Sequence, residues 1–228
     1  MAGGGGGRKV VLRKIVVFDN GFGGELFADY VEKEIPILDV VRVIDWRNSS
    51  AFYKNPKDAR EKTIESLRPY INHSDLIVIS NCLVSTTSLK YLQKKFPHQK
   101  FSGFSFEKPT TRKKRVLILS TESLFGTLSY RFFKASPCGL KTREFACDEW
   151  AKMIDEGEYM EEKVQKDLEQ FKKFKPQQIY LNCSHLADVK PIIRKIYGPT
   201  VSIVDGYKPT LGKICHELKL RGGGIKKK

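Results

Sequence analysis

Along most of the chain, runs of consecutive apolar residues stop abruptly on a polar one, and stretches with apolar positions three and four apart follow them. The first pattern is that of a strand buried on both faces, the second that of an amphipathic helix laid over it. Strands are predicted at residues 14–19 (KIVVFD), 39–45 (DVVRVID) and 75–80 (DLIVIS), with a shorter extended piece at 100–106. The pattern restarts at 115–121 (RVLILST), 141–147 (KTREFAC), 177–183 (QQIYLNC) and 200–206 (TVSIVDG). Helical spacing fills 25–35, 56–71, 86–96, 124–134, 149–174, 186–197 and 208–220, and Pro56 suits the first turn of the second of these. Strands alternating with helices predict parallel sheets with crossover helices.

Between the two halves stands EKPTTRKK, polar, proline-containing and charged, which reads as a linker. The expected fold class is therefore α/β: two similar lobes, each a mainly parallel sheet flanked by helices, with the active site in the cleft between them. Residues 1–13 form a flexible lead, 14–107 and 208–228 the first lobe, and 108–207 the second.

Composition narrows the class. Of 228 residues, 40% are hydrophobic and 29% charged, the balance of a globular chain rather than a disordered one. No apolar run approaches the roughly 20 residues of a membrane span, so no membrane partner is expected. The start, MAGGGGGRKVVLRK, has glycines where a secretory leader has its apolar core, which points to a cytoplasmic protein. The cysteines (Cys82, Cys138, Cys147, Cys183 and Cys215) are widely spread without C-x-x-C spacing, so free thiols are expected rather than disulfides or a zinc site. Lys and Arg number 41 against 26 acids, a net charge of +15. Such a charge permits phosphate binding. The basic residues nevertheless scatter over helix faces (Lys90, Lys94, Lys95; Lys172, Lys173, Lys175), the stretch from Arg112 to Arg115 and the tail, with no RNA-binding aromatic signature. Nucleic acid is thus not the expected partner, and the field would equally draw in a small dicarboxylate.

In open α/β sheets ligands sit beyond the carboxyl ends of the strands. Those ends carry Asp19, Asn20, Asn81 and Cys82 in the first half, and Thr121, Cys183, Ser184, His185 and Asp205 in the second. Two strands finish on Asn-Cys, in LIVISNCLVST (76–86) and IYLNCSHL (179–186), which suggests a site built twice. Blander readings exist for each part. Asp19 and Asn20 before glycines can make an Asx turn, and a free cysteine is commonly a small buried hydrophobe. Cys183-Ser184-His185 is more specific: a thiol beside a proton carrier at a strand end, where helix N-terminal amides favour the thiolate.

These segments together resemble the aspartate/glutamate racemases. VVFDNGFGG resembles that family's opening, in which an Asp-Ser pair precedes Gly-x-Gly-Gly, and IVISNCLVST stands in the place of its I-A-C-N-T-A segment. LNCSHLADVKPIIRKIYGPTVSIVD is similar to its G-C-T-H-x-P-L-L segment with the I-D that closes it. LILSTESLFGTLSY matches the family at Thr121 and Tyr130, and ACDEWAKMIDEGEY at Cys147 and Gly157.

The resemblance implies a cofactor-independent, metal-free racemase acting on glutamate or aspartate, serving peptidoglycan precursor supply, and it is compatible with a homodimer. An amino acid's α-proton is very weakly acidic, so a thiolate must take it while the carbanion is stabilised and a thiol on the other face returns one. Carried over by position, Cys82 and Cys183 would be the two thiols and Asp19 and His185 would assist them. Asn20, Tyr53, Asn81, Thr121 and Ser184 would bind the substrate.

One segment departs from the pattern. The family has Cys-Asn where this chain has Asn81-Cys82, and an amide cannot abstract a carbon-bound proton. Within a strand a one-residue slip turns a side chain to the opposite face, but here it falls in the turn beyond the strand, where a smaller adjustment suffices. Asn20 for Ser, Leu83 for Thr, Lys54 for Gly and the absence of Pro before Tyr53 also depart. Three outcomes stay open: a racemase using Cys82 as its first thiol, a one-thiol decarboxylase or isomerase using Cys183, and a binding scaffold that has lost catalysis.

Overall fold

Among the described residues eight strands form two parallel sheets, most of them from the apolar runs. The computed structural model describes residues 12–48, 56–107, 115–125 and 139–220. Tyr53, Lys54, Tyr130, most of the linker and the helix expected beyond residue 125 lie outside them.

The first sheet contains β1 (Arg13–Asp19), β2 (Leu38–Ile44), β3 (Leu76–Ile79) and β4 (Phe101–Gly103) in the order β2-β1-β3-β4. The second contains β5 (Arg115–Ser120), β6 (Lys141–Ala146), β7 (Gln178–Leu181) and β8 (Ser202–Asp205) in the order β6-β5-β7-β8. Every pairing is parallel, and the two halves repeat one topology. The central strands β3 and β7 are buried at every residue, which is why their sequences are continuous apolar runs. β6 lies at a sheet edge and alternates nothing. Its KTREFA is mostly exposed, and charges there discourage pairing with another chain.

The first lobe carries helices α1 (Phe22–Glu34), α2 (Pro56–Leu67) and α3 (Cys82–Lys95). The second carries α4 (Asp148–Glu156), α5 (Glu161–Glu169) and α6 (Lys190–Tyr197), and α7 (Tyr207–Glu217) ends the described chain. One core joins Ile15, Val17, Phe27, Val31 and Val78 to Leu211 and Ile214, so α7 returns to pack on the first sheet. Another gathers Leu117, Leu119, Trp150, Val164, Ile179 and Ile193 in the second lobe. Burying each such side chain contributes about 1.5–3 kcal/mol.

Several boundaries differ from the sequence expectation, each for a local reason. α2 ends at Leu67 rather than 71, because Pro69 disfavours helical backbone at Arg68. α1 begins at Phe22, taking Gly23 and Gly24 into its first turn. α3 begins at Cys82, four residues earlier than its spacing suggested. Asn81 caps it: the side-chain oxygen accepts the Val84 N–H at 2.9 Å, a role for which asparagine is among the best residues. After β7 the chain makes only a single 3-10 turn (Ser184–Ala187) before α6.

Candidate active site

Both sheets direct their carboxyl ends at one another, and the first turn of α1 meets the turn after β7. That approach is close. A Cβ on Gly23 would lie 2.3 Å from Ser184 Oγ and 2.8 Å from the His185 nitrogen, and one on Gly21 would lie 2.5 Å from His185 Nε2. The glycines after Asp19 are therefore space for the opposite lobe as much as a turn signal.

The two Asn-Cys pairs are not equivalent positions. Ser80 donates its N–H to Phe18 O at 2.9 Å, as Asn182 does to Leu119 O at 2.8 Å, and the flanking pairs Phe18–Ile79 and Leu119–Leu181 also correspond. Asn81 thus stands where Cys183 stands, and Cys82 where Ser184 does. The apparent repeat is offset by one residue: the α-helix of the first lobe and the 3-10 turn of the second begin at the equivalent positions Cys82 and Ser184, so the cysteine opens the helix in one and precedes the turn in the other.

Both thiols are nevertheless brought to the lobe boundary and buried. Cys82 receives the backbone N–H of Ser184 from the opposite lobe, and it feels the charges of Cys183 and Asp19. Burial first, then those two charges, pushes the Cys82 thiol well above the ordinary cysteine range, the Ser184 amide acting against them. Its hydrogen-bond acceptor is the Ser80 carbonyl at 4.0 Å.

Cys183 has a different neighbour. Its sulfur lies 3.4 Å from His185 Nδ1, and His185 Nε2 lies 3.0 Å from Asp155 Oδ1. That same carboxylate oxygen accepts the Phe22 N–H at 2.7 Å, from the first turn of α1. Burial pulls the His185 pKa down, but Cys183, Asp155 and Asp19 outweigh it and hold the imidazole well above its usual value. Thiol, imidazole and carboxylate stand in one unbroken line of contacts. No α-helix N-terminus acts on Cys183; the single 3-10 turn places His185 against it instead.

Asp19 is fully buried and completely enclosed. Oδ1 accepts from Asn20 N at 2.8 Å and Asn81 Nδ2 at 3.1 Å, and Oδ2 from the Ser80 and Ser184 hydroxyls at 3.0 Å each. Burial raises its pKa, against His185 and these donors. The Ser184 bond crosses between lobes, so Asp19 fastens them together. Asn81 also donates to Asn20 Oδ1, which draws Asn20 into the same network. Of the other expected substrate-binding residues, Ser184 is within it. Thr121 stands half-exposed at the end of β5 with its hydroxyl 3.2 Å from Ser123 Oγ, and Tyr53 lies outside the described residues. Among the described residues no cluster of three His, Cys, Asp or Glu could hold a metal ion.

Sequence reasoning missed Asp155, Ser80 and Tyr207. Tyr207 donates its hydroxyl to the Ser184 carbonyl at 3.0 Å. Asp155 sits in the acidic run MIDEGEY, which has the look of a solvated helix face, and nothing local in it announces a partner thirty residues on. Ser80 could have been suspected as the last polar residue before Asn81.

Known proteins share this fold. No protein-family model matches the chain. It is 24% identical over 228 residues to a glutamate racemase of Fusobacterium nucleatum, spanning 92% of this chain and 86% of that protein. Its structure matches Escherichia coli glutamate racemase, determined with L-glutamate and an activator, with a TM-score of 0.78 at 19% identity, over 95% and 86% of the two chains. It also matches an allantoin racemase from Pseudomonas fluorescens with a TM-score of 0.59 at 14% identity, over 94% and 95%. The chain is thus related to the glutamate racemases in sequence and has their two-lobe α/β fold.

Proposed function

We propose that the chain is a cofactor-independent glutamate racemase in which Cys183 and Cys82 act on opposite faces of the substrate's Cα. The supporting observation is that two buried thiols come from opposite lobes to one boundary, and that of the two only Cys183 has an imidazole and a carboxylate in line behind it. In the first half-reaction the Cys183 thiolate, its own proton held on His185 Nδ1, takes the α-proton. The electron pair of the broken C–H bond moves into the substrate carboxylate. The Cys82 S–H then delivers its proton to the other face, and the pair returns to Cα. The centre is inverted, Cys183 ends as thiol and Cys82 as thiolate, and the Ser184 amide is the donor that receives the new charge. The opposite enantiomer runs the same steps in reverse.

Glutamate is favoured as the substrate by the kinship with glutamate racemases and by a net charge of +15, which suits a dicarboxylate. A cytoplasmic role in peptidoglycan precursor supply follows from that kinship. Among the described residues no helix is long and apolar enough to cross a membrane.

The test is incubation of the protein with L-glutamate, and separately L-aspartate, in D₂O. Deuterium at Cα of glutamate together with loss of circular dichroism is the expected result. Exchange with retained configuration would leave a one-thiol enzyme, and no exchange with either acid would leave a binding scaffold; both overturn the proposal.

A further inference from the structure

We infer that Tyr207 is a positioning residue: through its hydroxyl it fixes the Cys183–Ser184–His185 turn against the first lobe, and through that turn it sets the surroundings of Cys82. The catalytic consequence rests on the two-thiol mechanism proposed above; the geometry does not.

Tyr207 opens α7 just beyond β8, and its N–H donates to Asp205 Oδ1 at 2.9 Å. Its ring sits among first-lobe aromatics. The centroid is 5.2 Å from Phe27 and 5.9 Å from Phe104, both edge-on, and 5.3 Å from Tyr30. The Lys190 ammonium, paired with Asp205, lies 5.3 Å from the ring centre on another side. A ring held on so many sides offers its hydroxyl in one direction, and that direction is the Ser184 carbonyl, 3.0 Å away.

Ser184 is the residue at which the lobes join. Its hydroxyl donates to Asp19 at 3.0 Å and its N–H to the Cys82 sulfur. With the Tyr207 bond, three polar groups of one residue are fixed by three partners: Asp19 at the end of β1, Cys82 at the start of α3 and Tyr207 at the start of α7. Removing the Tyr207 hydroxyl deletes the bond that ties this turn to α7, since the carbonyl then keeps only its bond within the 3-10 turn, and frees the turn to shift, which carries the amide away from Cys82. The charged or titratable groups facing Cys82 are Asp19 and Cys183; those facing the Tyr207 hydroxyl are Asp19, both thiols and Asp188, with Lys190 over the ring. Burial keeps the phenol neutral, so it remains a donor throughout the working range.

The experiment uses the full chain with Tyr207→Phe, which keeps the ring and deletes only the hydroxyl. Cys82 ionisation is read from thiolate ultraviolet absorbance against pH, as the difference between chains with Cys82 and with Cys82→Ser. Its midpoint should move up by about half to one pH unit in the Phe variant, and kcat should fall about 3- to 10-fold with KM little changed. Fluorotyrosine at position 207, a stronger donor of nearly the same shape, should move the midpoint the other way and serves if the Phe variant folds poorly. A variant with lowered melting temperature but unchanged Cys82 midpoint and kcat would make Tyr207 a packing residue only and overturn the inference. If the parent chain racemises nothing, the proposed function fails, while the thiolate titration still decides the role of Tyr207.

Discussion

Asp155→Asn removes one negative charge from the lobe boundary and almost no volume. Asp155 Oδ1 accepts the Phe22 N–H at 2.7 Å and faces His185 Nε2 at 3.0 Å, and an amide oxygen can accept from both. The shape of the site should survive; the charge assistance should not. A hydrogen bond to a charged group contributes about 1.5–3 kcal/mol and a neutral one about 1 kcal/mol, so the exchange costs about 0.5–2 kcal/mol. The Asp155 side chain is 29% exposed, which screens it and puts the cost near 1 kcal/mol. Racemisation kcat/KM should therefore fall roughly five-fold. Heat denaturation against pH carries a second signature. His185 is raised in the folded state, so its contribution to stability is complete below the unfolded value of about 6.5 and is lost as pH climbs through the folded value. The parent should melt at progressively lower temperature across that climb. The Asn variant, with a smaller elevation, should melt lower than the parent on the acid side and converge with it on the alkaline side. Equal kcat/KM and parallel melting curves would refute the idea that Asp155 holds His185 protonated.

Cys82→Ser and Cys183→Ser should each lower racemisation about 10²- to 10⁴-fold, because inversion needs one base and one acid and a serine hydroxyl does not ionise near neutral pH. Each should still eliminate a β-substituent from a substrate bearing one, with opposite enantiomer preferences, and racemisation by Cys82→Ser at the parental rate would make Cys82 a bystander. Asn81→Ala should destabilise the protein by about 1 kcal/mol through loss of the α3 cap, lowering the melting temperature by roughly 2–4 °C; an unchanged melting curve would show that the cap holds nothing.

What the sequence made legible was whatever depends on neighbours along the chain. The buried strands β1, β3, β5 and β7 are continuous apolar runs because both of their faces are covered, and that pattern needs no knowledge of the partner. The glycines after Asp19 were legible as a turn, but the reason for Gly21 and Gly23 lies in the opposite lobe, where Ser184 and His185 leave no room for a Cβ, while Gly24 is pressed by Asp19 and Ile44 of its own lobe. The start of α3 was hidden because Val84, Ser85 and Thr86 favour strand or turn locally; the Asn81 cap overrides them. Asp155 and Tyr207 were illegible for a stricter reason. Their partners are His185 and Ser184, thirty and twenty-three residues away, and no periodicity records such a pairing.

Under the proposed two-thiol mechanism, the offset between the two Asn-Cys pairs also bears on how the thiols divide the chemistry. In a site built as two equivalent halves, both thiols would rest in the same state and a single proton would be shared evenly. Here Cys183 has an imidazole at 3.4 Å, whereas Cys82 has a buried carboxylate nearby and an amide. In the two-thiol mechanism proposed above, this difference lets Cys183 take the first proton and Cys82 give the second, which is the state needed to begin on one enantiomer. Enantiomers have equal free energies in water, so the equilibrium constant is one and kcat/KM must be the same for both directions at any pH. The asymmetry can reach only the separate values: the enantiomer whose α-proton faces Cys183 meets the enzyme in its resting form, and the other must first bind the form with the protons exchanged. With Asn81 at the position equivalent to Cys183, the two thiols stand in different surroundings although the folds of the two lobes repeat.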